Sequence, residues 1–502
     1  MKNQVQLITY VDRLSGGSLH ELQAMLCEPD GPLHDLFGGV HLLPFYYQID
    51  GADAGFDPID HLRVDDRLGD WSDVAALSEK VDVMADVIVN HVSSGSPQFQ
   101  DFLARGQASE FNGMFLTRDA VFPKGASDAE LKAIYRPRPG SPFTPVVLKG
   151  GQTQLLWTTF TPQQIDIDVH HTQGRAYLSA ILKQLAAAGV RMTRLDAIGY
   201  AIKKAGSNCF MLPETFDFIA GFAAEARALG IEILVEIHSY YQTQIEIARY
   251  VDWVYDFALP PLVLHALNFN TSAGLRRWLS IRPRNAVTVL DTHDGIGIID
   301  IGADKADRSG RPGLVPDSEL DALVERIHTA SLDQSRQATG AAASNLDLYQ
   351  VNCTFYDALG RNDTDYLIAR AIQFFVPGVP QVYYVGLLAG CNDMDLLLKS
   401  GVGRNINRHY YQVGEVAEAV QRPVVQTLLG LIRWRNSHPS FQGEFELLSG
   451  GSDVLSLRWS REDAWAQLDV DLVRHSLRIR SSGDSEFSHF HRDAGATLGR
   501  ER

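Results

Sequence analysis

The chain has 502 residues, 45% hydrophobic and 21% charged, the balance of a globular protein with ample material for a large core. Its formal net charge of −16 argues against a nucleic-acid or anionic-membrane partner, and it requires any anionic substrate to be met by locally placed arginines. The four cysteines, Cys27, Cys209, Cys353 and Cys391, form no Cys-x-x-Cys pair, which fits reduced thiols in a cytosol better than a disulfide framework or a zinc site.

The amino terminus enters an apolar strand pattern at once (Val5-Gln6-Leu7-Ile8-Thr9-Tyr10), without the basic, apolar and small-residue regions of a secretory leader. No apolar run approaches bilayer length, so a cytoplasmic location is expected. Strand candidates follow at residues 39–44, 83–90, 190–196, 231–236, 254–258, 286–291 and 381–385. Several are nearly continuous apolar runs, as expected of parallel strands covered on both faces.

Helical periodicity lies between them. Residues 174–188 place Tyr177, Leu178, Ile181, Leu182 and Leu185 on one stripe, with Gly189 where a C-terminal glycine belongs. Residues 214–229 run from Pro213 to Gly230, and residues 363–375 stop before Pro377-Gly378. Eight strands alternating with helices predict an α/β chain folded as a (β/α)₈ barrel, assembled here from residues 1–88, 171–294 and 361–440. A bare barrel takes about 250 residues. The surplus falls in two loop-rich insertions, residues 89–170 and 295–360, the second with a Gly/Ala/Ser segment at residues 339–344. From residue 441 the period alternates (Leu455, Leu457, Trp459), predicting a small antiparallel C-terminal β domain.

Three strands deliver carboxylates at their carboxyl ends, where a barrel keeps its functional groups. The strand at 190–196 ends in Arg194-Leu195-Asp196, that at 231–236 ends in Glu236, and that at 286–291 runs into Thr292-His293-Asp294. Any one acid alone reads as a helix cap or an ion-pair residue. Three of them, each beside an arginine or histidine, read as a reaction centre. Glycoside chemistry needs such a set: one carboxylate attacks the anomeric carbon and a second, protonated, releases the leaving oxygen. In retaining enzymes the two lie about 5–5.5 Å apart.

Val89-Asn90-His91, Arg194-Leu195-Asp196, Glu236 and His293-Asp294 resemble, in order and spacing, the signature regions of the α-amylase superfamily. The runs Asp50-Gly51-Ala52-Asp53-Ala54-Gly55-Phe56-Asp57-Pro58, Tyr135-Arg136-Pro137-Arg138-Pro139-Gly140 and Asn345-Leu346-Asp347-Leu348-Tyr349-Gln350-Val351-Asn352 narrow the resemblance to its sucrose phosphorylase family. The likeness extends from Val5 to about Arg435 and fades in the C-terminal domain; Tyr46-Tyr47-Gln48-Ile49 departs from the family pattern.

The resemblance implies a retaining hexosyltransferase acting on sucrose and phosphate to give glucose 1-phosphate and fructose, through a glucosyl ester of Asp196. It implies Glu236 as acid and base and Asp294 as transition-state stabiliser. Arg194 would orient Asp196. Asp53, Phe56, His91, Phe160, Gln164, His293 and Arg404 would hold the glucosyl ring. Tyr135, Tyr200, Ile237, His238, Leu348 and Gln350 would line the fructose side. In the family a mobile loop presents in turn an acid to fructose and a tyrosine to phosphate, which falls on Asp347 and Tyr349, with Arg138 as the cationic partner of phosphate. Without the resemblance, Arg136 and Arg138 read as surface residues of a proline-rich turn. No cofactor or structural metal is implied, calcium included, and a homodimer is an expectation. Two other readings remain: a related phosphorylase acting on glucosylglycerate, glucosylglycerol or sucrose 6-phosphate, and a catalytically dead amylase-like binding subunit.

Overall fold

The structure is a computed structural model that describes residues 1–14, 16–51, 53–136, 140–304, 310–339 and 350–483. Eight parallel strands close into a barrel: β1 (Gln6–Thr9), β2 (Gly39–Leu42), β3 (Asp82–Ile88), β4 (Met192–Asp196), β5 (Glu232–Val235), β6 (Trp253–Asp256), β7 (Ala286–Thr288) and β8 (Val379–Tyr383). Consecutive strands are neighbours, and β1 closes the ring by pairing with both β2 and β8. Each was legible as an apolar run. The eighth starts two residues before the expected 381 and turns helical at Tyr384–Leu387. Pro377, Gly378 and Pro380 hide its start, since a Pro-Gly run reads as a turn. Gly378 has φ 125° and a Cβ there would lie 2.3 Å from the Ala286 carbonyl oxygen, so only glycine lets β8 approach β7.

The helices between strands are amphipathic as expected. Thr172–Ala187 buries Leu178, Ile181, Leu182 and Leu185 against the barrel. Pro213–Ala228 takes Pro213 into its first turn, where a missing N–H costs nothing. Asp363–Phe375 starts at Asn362, whose side chain accepts from the Thr364 and Asp365 amides.

The insertion after β3 folds back on itself through an antiparallel pair, His91–Ser93 with Gln164–Asp166. A second pair joins Phe143–Val147 to Thr153–Trp157. The insertion after β7 is less loop-like than its composition suggests. It holds the helix Asp317–Ala330, which buries Leu320, Leu323 and Ile327, and the shorter helix Gln334–Thr339. Ile296–Gly297 pairs with Gln350–Val351 and ties the two ends of this insertion together above the barrel. The C-terminal domain is a four-stranded antiparallel sheet, Glu444–Leu447, Val454–Arg461, Ala464–Asp471 and Ser476–Ser481, in sequential order. It is fixed to the barrel by Trp459, whose indole N–H donates to the Phe375 carbonyl at 2.7 Å. The four cysteines are free thiols, and among the described residues no helix is long and apolar enough to cross a membrane.

Candidate active site

The site begins below the cavity, inside the barrel. The β3–β4 register sets Arg194 opposite Asp86, so both side chains point into the barrel from adjacent strands. The Arg194 guanidinium donates to Asp86 and, at 3.0 Å, to Asp196 Oδ1, while its other terminal nitrogen lies 3.9 Å from Glu236 Oε1. Asp86 also meets His41 Nε2 at 2.9 Å, and the Tyr255 hydroxyl lies 3.3 Å from His41 Nδ1. Asp86 is fully buried, which alone would favour its neutral form. Arg194 and His41 outweigh burial and hold the carboxyl below its usual range.

Three acids stand above this arginine and line one cavity of about 380 Å³. Burial, with the carboxylates of Glu236, Asp86 and Asp294, pushes the Asp196 carboxyl well above the usual range against the pull of Arg194. Asp294 behaves in the opposite way. Burial would raise it, but Arg404 at 2.8 Å, with His293, Arg194 and His238, holds it well below the carboxylate range. One buried cleft therefore holds two carboxyls pushed in opposite directions, Asp294 toward its ionised form and Asp196 toward its protonated one, and environments that separate titratable groups in this way suit acid–base chemistry.

One side of the cavity suits a sugar ring. Phe56 stacks on His293 at 4.7 Å with 9° between planes, and Phe160 lies 5.4 Å from His91. His91 Nε2 contacts the Phe56 carbonyl and the Gln164 amide, each at 3.0 Å, a link made by the pairing of His91–Ser93 with Gln164–Asp166. Burial pushes His293 down to about 3 and lowers His91 as well, so both rings are neutral near pH 7. Nδ1 of each has no hydrogen-bond partner among the described residues, leaving hydrogen-bonding capacity beside the cavity. Asp53 faces Arg404 and Arg408, each at 3.9 Å. The other side is walled by Tyr200, Phe210, Ile237, His238 and Gln350.

Most of the expected site residues meet here. Asp53, Phe56, His91, Phe160, Gln164, Asp196, Tyr200, Glu236, Ile237, His238, His293, Asp294, Gln350 and Arg404 all line the cavity. Arg194 lies beneath the acids, and Tyr135 stands one layer back, stacked on Tyr200 at 5.9 Å. Arg138, Asp347, Leu348 and Tyr349 lie outside the described residues. Further contributors carry no motif of their own. Phe210 sits 4.8 Å from Tyr200, and Lys203 is a buried ammonium held by Asn90 at 2.7 Å and Asp166 at 2.8 Å. Among the described residues, Glu236, His238 and Asp294 are the one group whose donor atoms, within 4.8 Å of one another, could share a cation. Arg194 and Arg404 already bring positive charge to Glu236 and Asp294.

The family model for the alpha amylase catalytic domain matches residues 34–253. A sucrose phosphorylase from Agrobacterium vitis is 60% identical over 488 residues, spanning 97% of this chain and 99% of its own length. The chain belongs to the sucrose phosphorylase family. A second member of the sucrose phosphorylase family, from Bifidobacterium adolescentis, is 55% identical over 474 residues, covering 94% of this chain and 93% of its own. Among solved structures, the sucrose 6F-phosphate phosphorylase of Thermoanaerobacter thermosaccharolyticum superposes with a TM-score of 0.88 at 37% identity, with 96% of each chain covered. The family resemblance carried by the signature runs is thus borne out, and the match extends past Arg435, where the likeness was expected to fade, into the C-terminal domain.

Proposed function

We propose that the protein catalyses the reversible, retaining phosphorolysis of sucrose to α-glucose 1-phosphate and fructose. The observation that carries this reading is the convergence of Asp196, Glu236 and Asp294, from the ends of three barrel strands, on one cavity in a chain 60% identical to a sucrose phosphorylase. In the first step an Asp196 carboxylate oxygen bonds to the anomeric carbon of the glucosyl unit as the bond to the fructosyl oxygen breaks. Glu236 gives its proton to that oxygen, and fructose leaves. In the second, a phosphate oxygen attacks the same carbon, its proton passes to Glu236, and the ester electrons return to Asp196. Two inversions give net retention.

The position of Arg194 supports Asp196 as the nucleophile. Its guanidinium is 3.0 Å from Asp196 and 3.9 Å from Glu236, so its pull toward the ionised, attacking form acts most strongly on Asp196, against the burial that raises that carboxyl. Asp294, kept ionised by Arg404, faces the positive charge that builds up on the sugar ring. Phe56, Phe160, His91, His293, Gln164 and Asp53 would grip the glucosyl ring, and Tyr200, Ile237, His238 and Gln350 the fructosyl side, backed by Tyr135. Arg138 and the exchange of Asp347 for Tyr349 would receive phosphate, with Leu348 beside them. Each step is complete with these side chains and the two substrates, so we assign no cofactor or metal. A cytoplasmic enzyme is the reading that fits free thiols, and a homodimer is carried over from the family alone.

A second reading is favoured by the fold of the solved relative named for sucrose 6F-phosphate. It predicts a phosphorylated fructosyl substrate. Incubation with sucrose or sucrose 6-phosphate, with and without inorganic phosphate, separates the alternatives when glucose 1-phosphate and free glucose are assayed independently. Glucose 1-phosphate formed from sucrose only with phosphate supports the proposal. Free glucose at a rate indifferent to phosphate would make the protein a hydrolase.

A further inference from the structure

Asp300 belongs to the insertion after β7, and the reaction above makes no use of it. Its carboxylate is fully buried and fully engaged. Oδ2 lies 2.8 Å from His238 Nδ1, and Oδ1 accepts from the Ser239 amide at 3.1 Å and the Gln244 side chain at 2.8 Å. His238 is stacked on Phe257 with centroids 3.9 Å apart. The chain passes so close at Gly297 that a Cβ there would lie 2.2 Å from Asp300 Oδ2 and 2.9 Å from His238 Nδ1. The ring is thus fixed on three sides.

Its fourth side opens on the cavity. His238 Nε2 lies 3.2 Å from the Gln350 side-chain nitrogen and 3.8 Å from Glu236 Oε1. The Gly295 amide donates to Gln350 Oε1 at 3.3 Å, which turns the Gln350 NH₂ toward the ring. In this state Nε2 accepts a hydrogen bond and Nδ1–H donates to Asp300, the neutral tautomer. Among the described residues, the titratable groups facing the ring are Asp300 and Asp294 from the β7 side and Glu236 from the end of β5. Beyond them, Arg404 is engaged with Asp294 and Arg194 with Asp196. Burial opposes a charge on the imidazole, but the three carboxylates outweigh it and raise its pKa. A proton on Nε2 is therefore within reach once Gln350 turns aside.

We propose that Asp300 is a positioning residue for the acceptor step, holding His238 so that Nε2 accepts a fructosyl hydroxyl hydrogen when neutral and shares a phosphate proton when phosphate takes that place. The inference rests on the phosphorolysis reading and deepens it. Phosphate would enter as the monoanion. One P–OH proton is shared with or passed to His238 Nε2, and the proton of the attacking oxygen goes to Glu236, so the proton count of the complex is unchanged. A dianion arriving beside Glu236, Asp294 and an unprotonated ring would be repelled instead.

Two consequences are measurable. In the wild type the KM for phosphate rises with pH above neutrality, as the shared proton is lost from phosphate and ring, while the KM for sucrose does not follow it. In Asp300→Asn the ring is less basic, so the rise begins at lower pH, and a shift of one pKa unit makes the phosphate KM about tenfold larger than wild type in that window. The sucrose KM of this variant changes less and without that pH dependence, because an asparagine oxygen can still accept from Nδ1–H while its NH₂ donates to the Gln244 side-chain oxygen once that amide turns over, the Ser239 amide alone losing its acceptor. A flat wild-type phosphate profile overturns the proposal without any variant. So does an Asp300→Asn profile superimposable on wild type, or an equal rise in both KM values at every pH, which would make Asp300 merely structural. A wild type that forms no glucose 1-phosphate overturns the phosphorolysis reading and this inference together, whereas formation with an unchanged variant overturns this inference alone.

Discussion

Arg194 lies 3.0 Å from Asp196 and 3.9 Å from Glu236, and in the proposed mechanism that difference favours Asp196 as the attacking carboxylate. If Asp196 is the nucleophile, Asp196→Asn should lower glucosyl transfer by about 10⁴-fold or more while the circular dichroism and thermal transition stay near wild type. Retained turnover would refute the assignment. Arg404 is the main counter-charge of Asp294, so Arg404→Gln should let the Asp294 pKa rise toward the ordinary carboxylate range. A depressed pKa means that the ionised form is present above it and lost as pH falls through it. The acid limb of kcat/KM against pH should accordingly move to higher pH in the variant, and an unmoved limb would contradict the pairing. Asp86 is the buried anchor beneath both. Asp86→Asn removes the fully buried carboxylate partner of Arg194, leaving Asp196 and Glu236 to balance the guanidinium, and should cost about 1.5–3 kcal/mol in a denaturant titration. Nothing in the sequence marks Asp86 for this role. It lies in the middle of an apolar run, and only the strand register shows that it faces Arg194.

At the scale of elements, what the sequence shows well is whatever repeats locally. All eight strands and the helices Thr172–Ala187, Pro213–Ala228 and Asp363–Phe375 could be read, because apolar runs and helical stripes are properties of neighbouring residues. The three acids could be read because they close such runs. The β8 start was obscured by two prolines and a glycine, and the helix Asp317–Ala330 by the polar segment around it. Both are places where packing partners distant in sequence decide the structure. Gly378→Ala tests one of them. A Cβ 2.3 Å from the Ala286 carbonyl forces β7 and β8 apart, and the expected loss of stability is about 1–3 kcal/mol by denaturant unfolding. An alanine variant as stable as wild type would show that the close approach is not needed. Asp300, Lys203 and Arg408 belong to the same class. Each acts through a contact that closes only when an insertion or a distant turn folds over the barrel.

For the whole molecule, the two insertions build opposite walls of the cavity at the barrel mouth. The insertion after β3 supplies Gln164 and Phe160 to the sugar side, and the insertion after β7 supplies Gln350 and the buried Asp300 to the opposite one. A chain with net charge −16 repels phosphate at a distance, so phosphate capture has to be local. Arg138→Ala should then raise the phosphate KM far more than the sucrose KM, and an equal rise in both would remove that arginine from the phosphate site. The covalent intermediate proposed on Asp196 can be trapped and located on the chain. Glu236→Gln cannot protonate a poor leaving group or activate an acceptor, but it should still react with α-glucosyl fluoride, whose leaving group needs no proton. Mass spectrometry of the quenched, digested variant should find a hexosyl adduct on the peptide containing Asp196. An adduct on another residue, or none under conditions where fluoride is released, would contradict the two-step mechanism.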